Sequence, residues 1–313
     1  MTIAPERERS SRSVELPEDD RPVSRSIPQL AEPARLRAAG TASIVIGALL
    51  LGFVAQFAGV SHLTEARDQQ LSMDAFRYDL ANATAPVGQM GRDGKLLAAG
   101  TPVAILEIPA LNVRQVVLEG TSSKITLSGP GHRRDTPLPG QAGASVIYGR
   151  QASYGAPFVA LAQLSKGDAI TATTGQGVAR YTVTNVRFTG DPLPAPMASG
   201  DGRLTLVSGA GIPFAPNSIV RVDAKLTSSA QPGPGKVVGY AALPSEELTM
   251  EGDSSVWPLL VLGFILLFVS LALFTLSRRV WGRWQTWIVA VPVLLALGSF
   301  AAQQAAILLP NLL

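Results

Sequence analysis

No cysteine occurs in the 313 residues, and only two histidines do, His62 and His132. The first absence excludes disulfides, thiolate metal sites and cysteine nucleophiles together. The second leaves too few imidazoles for a histidine-based metal site, so neither a metal nor another cofactor is expected. Charge is scarce too, at 16% of residues against 47% hydrophobic. It is also unevenly placed. Residues 1–40 hold seven basic and seven acidic side chains, and residues 64–256 hold sixteen of each, so the net +3 is Arg278, Arg279 and Arg283. An excess confined to one short stretch describes no basic face, which removes nucleic acid as a partner.

What the sequence does have is three long apolar runs. A helix needs about 20 residues to cross a bilayer, and residues 41–60, 257–276 and 287–309 each supply them. Gln303 and Gln304 lie near the far end of the third. Short arginine-rich loops stay cytoplasmic. That rule puts residues 1–40 and the 277–286 loop inside and the long middle segment outside the membrane. Trp257, Trp281, Trp284 and Trp287 flank the runs, as interfacial aromatics do. His62 sits at a membrane edge and reads as interfacial. Residues 1–40 are charged, Pro-containing and free of aromatics, the composition of a disordered cytoplasmic tail.

After the first run, residues 61–83 are good helix formers without Gly or Pro. Leu63, Ala66, Leu71, Ala75 and Tyr78 recur at roughly helical spacing, which predicts that the membrane helix continues outward as a stalk. APVGQMGRDGKLLAAG ends the helix, and residues 61–100 form stalk and linker. Residues 101–226 then read as β. PVAILEI, VRQVVLE, ASVIYG, DAITATT, ARYTVTNVRF, RLTLV and SIVRVDAKL are short alternating or β-branched runs parted by turn residues. Seven or so strands in this length favour a closed or nearly closed barrel. LTLVSG leads into Ala-Gly, which reads as strand ending in a glycine loop. A Pro/Gly/Ser linker, residues 227–256, returns the chain to the membrane.

LEIPALNVRQVVLEGTS, GPGHRRDTPLPGQAG, SVIYGRQASYGAPF and LTLVSG, in this order and followed by a strand, resemble the sortases. The likeness covers roughly residues 68–226 and is strongest to the membrane-anchored class E type of Gram-positive actinobacteria. It implies a mostly β fold: a sortase-like eight-stranded β-barrel ectodomain, here with three transmembrane α-helices. Sortases are cysteine transpeptidases that cut a C-terminal sorting motif and pass the acyl fragment to an amine. A cysteine closing the TLxTC strand attacks, a histidine in VxxGHR carries the proton, and an arginine on the next strand steadies the oxyanion. These are the minimum parts for acyl transfer.

Laid on those motifs, Arg150 stands at the histidine position and Gly209 at the cysteine position. Ser208 takes the preceding threonine's place. Ile219 (or Ser218) falls at the arginine position, with Arg221 two residues on as a substitute sharing its strand face. His132 survives in GPGH, where the resemblance gives it a loop-shaping role. Ser208 with His132 is the fallback for rebuilt chemistry. Against it, Arg150 accepts no proton, and Ser208 is one residue out of register, on the opposite face of the strand.

The expected function is a non-catalytic, membrane-anchored sortase-like protein of the cell envelope, a pseudoenzyme. His132, Arg150, Ser208 and Arg221 would line its ligand groove. Its partner would be a sorting-signal-like peptide, a wall precursor or an envelope protein, an active sortase among them. An arginine there suits an anionic ligand such as a peptide carboxylate. Two alternatives stand: a serine transpeptidase or hydrolase, and a structural subunit whose last two spans hold a membrane assembly.

Overall fold

The computed structural model describes residues 50–313 together with Ser43 and Gly47. The expected tail of residues 1–40, and the part of the first span before residue 50 apart from Ser43 and Gly47, lie outside the described residues. From residue 50 the chain is helical, passes through a π turn at Gln56–Val60 and continues as α1 (Ser61–Ala81).

Eight strands close a barrel in the order β1-β2-β3-β4-β7-β8-β6-β5. They are β1 (Pro102–Ile108), β2 (Val113–Glu119), β3 (Gly131–His132), β4 (Gly143–Tyr148), β5 (Ala169–Thr174), β6 (Gly177–Arg187), β7 (Gly202–Ile212) and β8 (Ala215–Leu226). Closure comes from antiparallel pairing of β1 with β5, while β2–β3 and β4–β7 run parallel. Ala104, Leu106, Ile147, Ile170, Leu204, Leu206, Val220 and Val222 fill the interior with the other inward residues. Closure leaves no free sheet edge.

Two elements depart from the sequence reading. β3 is only two residues long, too short to leave an alternating pattern. Gly209, Ala210 and Gly211 are strand, because β7 runs on into a hairpin with β8, with Gly209 opposite Ile219 and Ala210 opposite Ser218. Main-chain pairing with a neighbour holds these small residues extended despite their weak β preference.

The stalk helix is present. Leu63, Leu71 and Tyr78 are exposed. Met73, Phe76 and Leu80 pack instead on Ile105, Val116 and Leu118, the outer face of β1 and β2. Gln69 fixes this rotation. Its side-chain amide accepts from Val116 N at 2.7 Å and donates to Val116 O at 3.1 Å and Ser128 O at 2.8 Å. A polar side chain pairing with a strand backbone outweighs the apolar stripe, since unpaired buried main-chain groups are costly.

After the barrel, residues 227–256 are irregular and lie against it, with Gln89 Oε1 accepting from Val237 N and Val238 N. Beyond the one-turn helix α2 (Ser123–Thr126) that follows β2, the remaining helices α3 (Trp257–Val280) and α4 (Arg283–Leu308) form a hairpin. Both are long and apolar enough to cross a membrane. Gly263 lets them approach closely, since a Cβ there would stand 3.2 Å from the Phe300 ring.

Candidate functional site

Parallel pairing sets Tyr148 of β4 beside Val207 of β7, and Gly149 N then donates to Val207 O at 3.0 Å. Two residues beyond the Tyr148–Val207 pair on both chains come Arg150 and Gly209, and Gly209 is paired across β7–β8 with Ile219. Arg150, Gly209 and Ile219 therefore fall in one row across three adjacent chains. Gly149 is required at the exit of β4, because a Cβ there would come within 2.3 Å of the Phe158 ring.

Arg150 has no solvent exposure. Its Nε donates to Thr126 Oγ1 at 3.2 Å, Nη1 to Ser153 Oγ at 3.0 Å and Leu313 O at 3.4 Å, and Nη2 to Ser123 Oγ at 2.6 Å and Ser123 O at 3.3 Å. The ring of Tyr154 lies 5.7 Å from the guanidinium carbon. Among the described residues no Asp or Glu side chain is within ion-pair distance of it. Burial lowers the Arg150 pKa to about 10, with Tyr154 pulling the other way. The group stays protonated near neutrality and cannot serve as a base.

Residues of a strand alternate between faces, and β7 shows the consequence. Leu204, Leu206 and Ala210 point into the barrel core, and Ser208 shares their parity. Fully buried, Ser208 donates its hydroxyl to Gly149 O at 2.9 Å. Val207 points outward to a second cluster with Val146, Tyr148, Leu312 and the flanking Ile219 and Met250. Arg221, half-buried, is two residues from Ile219 and opposite Val207.

His132, on β3, is buried in a polar cluster of its own. Its Nδ1 lies 2.8 Å from Glu119 Oε2 and its Nε2 lies 3.0 Å from Pro137 O. Both neighbours are acceptors, so both ring nitrogens donate. Burial works against the imidazolium, but Glu119 and the Pro137 carbonyl outweigh it and raise the pKa. No hydrogen bond joins His132 to Ser208, and each has its partners elsewhere. The four residues expected to line one groove are thus divided: Arg150 at the row, Arg221 beside it, Ser208 inside the barrel, His132 on Glu119.

The row is covered by the chain itself. After α4, Leu309–Leu313 lies across it and closes a turn, with Leu313 N donating to Pro310 O at 3.2 Å, and it is bound mainly through carbonyls. Ser123 Oγ donates to Leu309 O at 2.8 Å, while Gln151 N and Gly209 N donate to Leu312 O at 3.2 and 3.3 Å. Leu313 O accepts from Ser153 Oγ at 3.0 Å as well as from Arg150. One side chain is read in full: Asn311, fully buried, donates to Thr121 O and Leu248 O at 2.8 and 2.7 Å and accepts from Met250 N at 3.0 Å. Leu312 is likewise fully buried.

Sequence reasoning missed Ser123, Thr126, Ser153 and the whole of Leu309–Leu313. A usable signal was present in the last, where a Pro-Asn pair interrupts an apolar run that would otherwise continue the span. Chemically, the arrangement offers donors aimed at peptide carbonyls and a buried cation. It pairs no nucleophile with a base.

A family model described as the sortase domain matches residues 106–215. No curated protein matches the chain. Among solved structures, the Clostridium perfringens sortase D5 transpeptidase is 18% identical, with a TM-score of 0.43 over 52% of this chain and 99% of that one. Sortase C-1 from Actinomyces oris is 26% identical, with a TM-score of 0.37 over 41% and 75%. Clostridium perfringens sortase C with the C-terminal cell wall sorting motif is 21% identical, with a TM-score of 0.39 over 52% and 90%. The sortase-domain match thus takes in Arg150, Ser208 and Gly209, and ends before Ile219 and Arg221.

Proposed function

We propose that this is a membrane-anchored pseudoenzyme of the Gram-positive cell envelope, of the class E-like sortase type, that binds an envelope partner without cutting it. The observation that carries this reading is that Arg150 and Gly209 fall in one row, where the β4–β7 register continues. The proton-carrier position holds a buried, protonated guanidinium, and the nucleophile position holds no side chain. Acyl transfer needs a nucleophile whose proton can leave, and neither position supplies one. What the row supports is recognition of peptide main chain. A sorting-signal-like peptide, or a protein presenting one, is therefore the partner class.

The serine alternative is disfavoured by geometry, because Ser208 faces the barrel interior and donates to a carbonyl, which takes no proton. The test is to incubate the full chain in detergent with sorting-type peptides and an amine acceptor, and to follow products by mass spectrometry. Peptides recovered intact are the expected result. Cleavage abolished by Ser208→Ala would overturn the reading.

The structural-subunit alternative keeps one support, the docking of the α3–α4 hairpin on the barrel through Leu309–Leu313. Co-purification of a partner that survives loss of the barrel and fails on deleting residues 257–313 would favour it. In the proposed topology the barrel is extracytoplasmic, and residues 1–40 and 277–286 are cytoplasmic. With no native cysteine, a single Thr189→Cys should label with an impermeant maleimide on intact cells and Gly282→Cys should not. The reverse pattern would contradict it.

A further inference from the structure

The segment Leu309–Leu313 occupies the row with the contacts of a bound peptide. Its carbonyls take donors from three separate stretches (Ser123, Gln151 with Ser153, and Gly209), one amide side chain is fully matched, and Leu313 N closes a turn on Pro310 O. Carbonyl recognition of this kind does not depend on sequence. Selectivity rests on Asn311 and on the apolar seat of Leu312 between Val146, Tyr148, Val207 and Ile219.

Gly209 has a physical role in this arrangement. A Cβ built on it would stand 3.0 Å from both Leu312 O and Gln151 Oε1 and 3.2 Å from Pro216 Cβ. Any larger residue here would press on the bound segment. Glycine leaves room for its backbone and provides one of the two N–H groups that meet Leu312 O. Gln151 Oε1, buried beside it, has no hydrogen-bond partner of its own.

We propose that this row is a peptide-binding site which the chain fills in cis with Leu309–Leu313. A peptide that turns at a Pro-Asn-Leu sequence followed by an apolar residue competes for it in trans. The inference rests on the binding reading above and names its ligand class. The cis segment then acts as a built-in competitor, so the apparent affinity for a trans peptide is lowered by the fraction of time the segment is seated.

The test uses the full chain in detergent and a fluorescein-labelled peptide corresponding to residues 306–313, read by anisotropy. Three chains are compared: the unaltered protein, Asn311→Ala combined with Leu312→Ala to loosen the segment, and Gly209→Val to crowd the site. The loosened chain should bind at least about tenfold tighter than the unaltered one. Gly209→Val should not bind, and a scrambled peptide should bind none of them. Thermal unfolding shows whether the loosened chain is folded, and Leu312→Ala alone replaces it if not. A folded, loosened chain that binds the peptide no better than the scrambled control overturns the proposal. So does equal binding by Gly209→Val. Mass spectrometry of the recovered peptide separates the two readings: a bound but cleaved peptide sinks the non-catalytic reading and leaves the site, whereas an intact, unbound peptide sinks the site alone.

Discussion

The main-chain N–H of Gly209 donates to the carbonyl oxygen of Leu312 at 3.3 Å, and Gln151 N meets the same oxygen at 3.2 Å. Two converging N–H donors on one carbonyl are the geometry that catalytic sites use for a developing oxyanion. Here they hold a ground-state peptide of the protein's own chain. The absence of a side chain at 209 and the presence of the segment are one structural fact.

Restoring a thiol does not restore a reaction. In Gly209→Cys the new Cβ meets Leu312 O and Gln151 Oε1 at 3.0 Å, and backbone must shift to admit it. Crowding of this kind costs roughly 1–3 kcal/mol. Thermal unfolding of the variant should fall accordingly, and peptide cleavage should remain absent because Arg150 holds its proton. Measurable cleavage by this single variant would contradict the assignment of Arg150 as the blocked proton carrier.

Arg150 separates charge from packing. Its hydroxyl partners have other acceptors: Ser123 donates to Leu309 O, Thr126 to Ser123 O and Ser153 to Leu313 O. Removing the guanidinium therefore strands few groups, and a buried charge replaced by an apolar chain of similar size is often tolerated. Arg150→Met should change stability by less than about 1 kcal/mol, whereas Arg150→Ala, which leaves a cavity, should lose about 3 kcal/mol. Denaturant unfolding of the two variants measures this. A Met variant as unstable as the Ala variant would show that the charge itself is required.

The pH dependence follows from two buried groups. The raised pKa of His132 means the folded state holds its proton more tightly than the unfolded chain, near 6.5. That stabilisation is full below about 6.5 and is lost as pH rises through the folded value. Glu247 is pushed up to about 7 by burial, against Arg134 and with Glu119, Glu246 and Asp135 adding to the rise. Its unfolded counterpart ionises near 4.3, so its destabilising effect grows as pH climbs from about 4 and is complete above 7. Both act in one direction. Thermal stability should decline from about pH 5 to 8, and His132→Gln should flatten the upper part of the decline. Stability rising over that window would contradict the assignment of both groups.

The strands were legible where packing leaves a trace in composition. PVAILEI and VRQVVLE match β1 and β2 residue for residue, because each has one face in the core and the other under α1. Gly209–Gly211 was not legible as strand, since the residues that hold it extended are its partners on β8. The stalk's inward face was not legible for a similar reason. Gln69 decides the rotation through Val116, which lies 47 residues away.

At the site, the row of Arg150, Gly209 and Ile219 could be placed from motif alignment. The contacts of Leu309–Leu313 could not, because they join stretches far apart in sequence, such as Ser123 with Leu309 and Ser153 with Leu313. Motif reading also grouped His132 with Arg150. Strand pairing instead turns His132 toward Glu119, a neighbour on β2 that no local pattern announces.

Hydrogen exchange at the Gly209 amide tests the central claim most directly. In the full chain this amide is expected to exchange slowly, because Leu312 O is its acceptor. Deleting residues 309–313 should speed its exchange, and that of the Gln151 amide, while leaving the amides of Leu204 and Leu206 unchanged. Equal exchange at Gly209 with and without the segment would mean that the row is not filled by the protein's own chain.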